Sequence, residues 1–162
     1  MRVYIPATLA MLERFVADGS MQPLNGTAFA VTPALRESYA EGDDEELAEV
    51  AIDEAALASL RLLAAEGAAR PRRAVLIAEA EARPRPDLDD AVVRIDGRVG
   101  MDQVVAAYVD NADAEPAVTA AVAVIDDADL GDEDAELTVG DAQDHALAWY
   151  DRSELPFLIE LL

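Results

Sequence analysis

The residues whose types could support chemistry lie near the end of the chain, around its only histidine, His145. Asp144 precedes this histidine, and Trp149, Tyr150 and Glu154 follow it closely. An imidazole among carboxylates could exchange protons or help to hold a divalent cation. These five residues form the candidate patch, although the sequence favours a plain surface or strand-end position for His145.

No complete catalytic or metal-binding set accompanies this patch. The chain has no cysteine, which excludes disulfides, thiolate metal ligands and cysteine nucleophiles. Its four serines include none in a GxSxG elbow, and one histidine supplies too few nitrogen ligands for a structural zinc site. The sequence therefore predicts no metal and no cofactor, assigns no catalytic residue, and leans against an enzyme.

Two segments resemble binding loops only at first sight. Gly97 to Gly100 has the GxxG spacing of a nucleic-acid clamp, but its surroundings indicate strand, turn and strand. An EF-hand loop needs an acid or Asn at its fifth position, Gly at its sixth and Glu at its twelfth. With Asp127 as the first position, the chain has Gly131, Asp132 and Thr138 there. We expect a hairpin turn in the first segment and a solvated loop in the second.

The net charge of −22 limits the choice of partner. The chain has 34 acidic residues and 12 basic ones, all of them arginine. A field of this sign repels polyanions, so nucleic acid and anionic membranes are excluded as partners. A protein is the expected partner, and self-association into a homo-oligomer is left open.

Five of the arginines flank the stretch 74–82, a nine-residue strand candidate that begins with the apolar run AVLIA. A strand of this length separates its two ends widely, so the two groups cannot share one anion pocket. We expect solvated flanks or surface ion pairs for these arginines, which are Arg70, Arg72, Arg73, Arg83 and Arg85.

Hydrophobic spacing and turn residues divide the chain into alternating elements. Val75, Leu76 and Ile77 belong to a continuous apolar run that predicts a buried central strand. Trp149 and Tyr150 should point to opposite faces of a strand, one toward the core. The predicted strands cover 3–5, 74–78, 92–95, 104–109 and 146–150. The predicted helices cover 8–19, 33 to about 40, 43–67, 117–125 and a short stretch from 153. The acidic stretch 126–136 is predicted as loop, with a brief extended piece at 137–139.

This order predicts an α+β fold. Two strand-helix-strand units around an antiparallel pair suggest a ferredoxin-like split βαβ sandwich, with extra helices in the first crossover. An open, mostly parallel α/β sheet is the alternative. The length of 162 residues fits one domain spanning residues 1–162.

The expected location is the cytoplasm. Residues 1–19 contain Arg2, Pro6, Glu13 and Arg14 and lack the apolar stretch of a signal peptide. No window approaches 18 consecutive apolar residues, and the absence of cysteine is compatible with a reducing compartment.

Three stretches together resemble a known family. They are the opening MRVYIPAT, the segment TAFAVTPALRESYAEGDDEELAEVAIDEAALASLRLL and the ending WYDRSELPFL. They are similar to an uncharacterised family of short, acidic actinobacterial proteins of unknown function. The resemblance covers most of the chain, least at 80–100 and 126–142. It implies a bacterial cytosolic origin and no particular chemistry.

Three hypotheses about function follow. The first is a non-catalytic interaction or regulatory domain, since no coherent catalytic set is present. The alternative is a small carboxylate-using enzyme or ligand-binding domain, which requires carboxylates with shifted pKa values in a concave pocket. The third is an acidic polyanion mimic, which requires carboxylates arrayed at phosphate-like spacing on one face.

Overall fold

The computed structural model describes residues 1–39, 41–67 and 70–162. Its strands are β1 (Arg2–Ala7), β2 (Ser20–Met21), β3 (Thr27–Phe29), β4 (Ala74–Glu79), β5 (Ala82–Pro84), β6 (Val92–Ile95), β7 (Val99–Gly100), β8 (Val104–Asp110) and β9 (Leu147–Asp151). Its α-helices are α1 (Leu9–Asp18), α2 (Pro33–Ser38), α3 (Asp44–Glu66), α4 (Glu115–Asp129), α5 (Glu133–Gln143) and α6 (Leu155–Leu161). Short 3-10 turns lie at 24–26, 101–103, 112–114 and 152–154.

A seven-stranded sheet in the order β5-β6-β3-β1-β4-β8-β9 organises the fold. Every neighbouring pair in this sheet is antiparallel. The α+β class is therefore correct, and the mostly parallel alternative is wrong. The ferredoxin-like topology is not confirmed, because β1 and β4 lie side by side and antiparallel rather than as parallel strands separated by a third.

Strand β4 lies inside the sheet, between β1 and β8, as its apolar run predicts. Val75 and Leu76 are fully buried, and Ile77 is 5% exposed. Leu76 points to one face of the sheet, and Val75 and Ile77 point to the other. The prediction of a buried central strand is confirmed.

Helices cover both faces of this sheet. On one face, Leu9, Leu12 and Phe15 of α1 and Leu155 of α6 pack against β1, β4 and β8. On the other face, apolar residues of α2 and of the first half of α3 cover the same strands. The second half of α3 leaves the sheet and packs against α4 and α5. The core therefore has two layers on the sheet and a third between helices.

The helix starts follow ordinary capping chemistry. Thr8, Thr32 and Asp43 each accept a hydrogen bond from a backbone N–H in the first turn of α1, α2 and α3. Gly19 ends α1 in the left-handed conformation, as its position predicts. Helix α2 ends at Ser38, and its expected end near Ala40 lies outside the described residues.

The acidic stretch 126–136 is helical over most of its length, so the loop prediction is wrong there. Helix α4 continues to Asp129, and Asp132 caps α5, which also replaces the extended piece expected at 137–139. Ile125 of α4 is buried against α3, and so are Val139 and Ala142 of α5, which lie three residues apart on one helix face. The carboxylates occupy the outer faces and the first turn of α5, where the helix dipole favours them.

The Gly97 to Gly100 segment is not a hairpin turn. Strand β6 before it pairs with β3 and β5, whereas β7 after it pairs with β2 in a separate two-stranded ribbon. In this ribbon Ser20, two residues after the end of α1, pairs with Gly100. The hairpin prediction is wrong because turn residues do not show which strand will pair with the strand that follows them.

Candidate functional site

A cleft of about 260 Å³ lies where the first half of α3, the ends of β4 and β8, and the segment leading into β9 meet. Its floor includes Tyr108 of β8 and Leu147 of β9, and α3 forms one wall. The polar residues that line it are Glu49, Asp53, Arg73, Gln143, Asp144 and His145. Four separate segments therefore bring carboxylates, a guanidinium and an aromatic ring together.

Arg73 supports this cleft from inside the fold. Its side chain is almost fully buried, and Asp110 is completely buried beside it. The Asp110 carboxylate accepts from Arg73 Nε at 2.9 Å and from Nη2 at 2.7 Å, and it also accepts from the Arg73 backbone N–H. Two N–H groups of the planar guanidinium thus bind the two carboxylate oxygens, and each buried charge is compensated by the other.

The expectation of solvated arginine flanks is therefore wrong for Arg73. The antiparallel register pairs Ala74 with Val109, which sets Arg73 and Asp110 next to each other at the strand ends. A buried arginine needs such a partner, and no local pattern in the sequence indicates it. The other four arginines do form surface ion pairs, as expected: Arg70–Glu13, Arg72–Glu115, Arg83–Asp96 and Arg85–Asp87.

The same guanidinium fixes the connection between α5 and β9. Arg73 Nη1 donates to Gln143 Oε1 at 2.9 Å, and Nη2 donates to the His145 backbone carbonyl at 2.8 Å. Gln143 Nε2 donates in turn to the Asp53 backbone carbonyl of α3. The residues entering β9 are thus bound to α3 and to the sheet through one buried side chain.

Two carboxylates of α3 face the cleft one helical turn apart, Glu49 and Asp53. Burial raises the pKa of the Asp53 carboxyl, the neighbouring Glu49 charge raises it further, and the Arg73 charge partly opposes both effects. Neither residue nor Asp144 forms an ion pair with any residue that the structure describes. The arrangement suits binding of a positively charged or hydrogen-bond-donating group.

We expect Asp53→Asn to raise the melting temperature at neutral pH. Because the native carboxyl holds its proton more tightly than the unfolded one, stability falls as pH rises through the interval between the two pKa values. The gain should therefore be largest near pH 7 and shrink toward about pH 4, close to the unfolded value. Asp126→Asn on exposed α4 surface removes the same charge and is the control. An equal rise in melting temperature for both variants would contradict a raised pKa at Asp53.

The five residues of the candidate patch are not all together. Asp144 and His145 line the cleft, and His145 stands just before β9. Glu154 lies beyond the other end of β9, where its carboxylate accepts from the Asp151 backbone N–H in a reciprocal cap. The strand of five residues keeps these two ends about 15 Å apart.

Trp149 and Tyr150 lie on opposite faces of β9. Tyr150 packs against the core on the α1 and α6 face. Trp149 pairs with Tyr108, whose ring packs on the α3 face, so both rings belong to that face. Trp149 is 53% exposed, and it follows Leu147 of the cleft by about 7 Å along the strand.

Sequence reasoning missed the α3 carboxylates, Tyr108, and the Arg73–Asp110 pair. For the pair, Arg73 directly precedes the apolar run at 74–78 and Asp110 directly follows the run at 104–109, but nothing local in the sequence pairs these two residues. Glu49 and Asp53 were hidden among seven carboxylates between 41 and 53 that carry no distinguishing pattern.

Two features are absent from the part of the chain that the structure describes. None of its helices combines the length and the apolar character needed to cross a membrane. Within residues 1–39, 41–67 and 70–162, no three His, Cys, Asp or Glu side chains converge in a way that could hold a metal ion.

Comparison with known proteins gives one match. No curated protein and no solved structure is significantly similar to the chain. One family model, described as a family of unknown function (DUF6912), matches residues 1–159 and therefore almost the whole sequence. This agrees with the resemblance to an uncharacterised family, and it indicates no specific activity. The chain belongs to this family of unknown function.

Proposed function

We propose that this protein is a non-catalytic interaction domain, and that an extended segment of a partner adds to the sheet along β9. One observation carries the proposal. Strand β9 ends the seven-stranded sheet, and within the described residues its outer edge pairs with no other strand. An open edge offers a row of backbone donors and acceptors to an incoming strand.

The other edge of the sheet supports this choice by contrast. Strand β5 has only three residues, contains Pro84, which lacks an N–H donor, and exposes the charged Arg83. Short length, proline and charge are the features that protect natural edges from pairing. Strand β9 has five residues, Leu-Ala-Trp-Tyr-Asp, with no proline and no basic side chain.

Trp149 gives the β9 edge a candidate anchor. Tryptophan is enriched among the few interface residues that carry most of the binding energy. This ring is half exposed although it sits between strand neighbours that are mostly covered. Coverage by a partner segment would remove that apolar surface from water.

Selection from a display library of random short peptides tests the proposal. We expect peptides whose affinity falls at least about 30-fold for Trp149→Ala, because truncating an anchor residue costs about 2 kcal/mol or more. Fluorescence anisotropy of labelled peptides measures the affinity.

Phe157→Ala is the matched control, because Phe157 is an aromatic residue even more exposed than Trp149 and lies on α6, over the opposite face of the sheet. It should leave the affinity unchanged. Peptides that bind Trp149→Ala as well as the original protein, or a library that yields no binder, would overturn the proposal.

The cleft supports a second candidate, a small-ligand-binding domain. The observation in its favour is the raised pKa of Asp53 in a concave site that also contains Glu49 and Asp144. A small ligand that raises the melting temperature of the original protein but not of Asp53→Asn, and that leaves peptide binding at β9 unchanged, would favour this role.

A further inference from the structure

We infer that the partner segment at β9 is basic, and that it places one arginine or lysine side chain in the cleft beside the start of that strand. The inference rests on the proposed function and adds the chemistry of the partner. It follows from the continuity of the cleft with β9, the balance of charge in the cleft, and the nature of its floor.

The cleft and the β9 edge are continuous. Asp144, His145, Ala146 and Leu147 line the cleft and lead directly into β9, of which Leu147 is the first residue. Trp149 lies on the same face two residues further along. A segment paired along β9 therefore passes Trp149 and reaches the cleft within a few residues.

The charge that such a segment meets is negative. The positive charge of Arg73 is already matched by Asp110, at 2.7 Å inside the fold. Glu49, Asp53 and Asp144 then stand at the cleft without a basic partner among the described residues. Burial is the main cause of the raised pKa of Asp53, and the negative charge of Glu49 raises it further. A cation would relieve this repulsion, whereas an acidic or neutral side chain would not.

The floor of the cleft suits the long stem of a basic side chain. Tyr108 and Leu147 supply apolar surface, and Ile52 and Ala56 of α3 add to the wall. Arginine and lysine bury their methylene stems on such surfaces while the charged head stays polar, and arginine also stacks on aromatic rings. The volume of about 260 Å³ lies just below the range of about 300–1,000 Å³ typical of whole-ligand pockets.

The experiment uses the full chain and the peptides selected on it. Selected peptides should be enriched in arginine or lysine, and replacing that residue by glutamine should weaken binding about tenfold. The double variant Glu49→Gln/Asp53→Asn should lose the same factor and should no longer distinguish the two peptides. Trp149 is the only tryptophan, so its emission reports binding at the β9 edge directly.

A matched double variant controls for net charge. Asp126→Asn/Asp127→Asn removes two carboxylates from the exposed end of α4 and should bind both peptides as the original protein does. If the two double variants behave alike, general attraction explains the preference and the cleft inference fails. If neutral peptides are selected and still depend on Trp149, the inference fails while the proposed function stands. If no peptide depends on Trp149, both fail.

Discussion

Arg73→Met should lower the free energy of unfolding by about 3–5 kcal/mol, which is a large part of the stability of a protein of this size. The variant leaves the Asp110 carboxylate completely buried and without its cation. Two charge-assisted hydrogen bonds to Asp110 disappear, together with those to Gln143 and to the His145 carbonyl. Unfolding in urea, followed by circular dichroism, measures the change.

Arg61→Met is the control for this prediction. Arg61 forms an equally well-aligned two-bond pair with Asp129, but both side chains are exposed by 40% or more. Exposed pairs contribute about 0–1 kcal/mol, so this variant should change stability little. The double variant Arg73→Met/Asp110→Leu should recover much of the loss, because it removes the unpaired buried charge. Equal costs for Arg73→Met and Arg61→Met would show that burial of the pair is not what matters.

The buried pair also links stability to the proposed binding surface. Through Gln143 and the His145 carbonyl, Arg73 fixes the segment that forms one wall of the cleft and begins β9. Loss of Arg73 should therefore weaken peptide binding as well as folding. In the double variant, recovery of stability without recovery of binding would separate the two roles.

Features that depend on local sequence could be predicted well. The run AVLIA gave the position of β4, and Thr8, Thr32 and Gly19 gave helix ends, because capping and continuous burial act over a few residues. The opposite orientations of Trp149 and Tyr150 follow from strand alternation, although alternation does not say which ring faces outward.

The site could not be predicted in the same way, because it depends on strand register and on contacts between distant segments. Arg73 meets Asp110 across 37 positions and Gln143 across 70. The acidic stretch 126–136 misled for a related reason. Its charge density is typical of a solvated loop. The apolar residues around it, Ile125, Val139 and Ala142, indicate helices only once α3 supplies a surface that buries them.

Gly26→Ala should destabilise the protein by about 2–5 kcal/mol while leaving peptide binding at β9 intact. Gly26 has a φ of +68°, a conformation that costs an L-residue about 1–2 kcal/mol. An added Cβ would also lie 2.4 Å from the backbone oxygen of Ile95, so β3 and β6 would have to move apart. Such overpacking costs about 1–3 kcal/mol more.

Gly19→Ala separates the two contributions, because Gly19 has a φ of +77° but nothing within 4 Å of an added Cβ. We expect this control to lose only the conformational part, about 1–2 kcal/mol, in the same urea titration. Equal losses for the two variants would mean that the contact with Ile95 is relieved at no cost. Gly26 adjoins β3, and three strands, β1, β4 and β8, separate β3 from β9, so folded Gly26→Ala should bind the selected peptides with unchanged affinity. Loss of binding in that variant, once its folded fraction is accounted for, would place the binding surface elsewhere than the β9 edge.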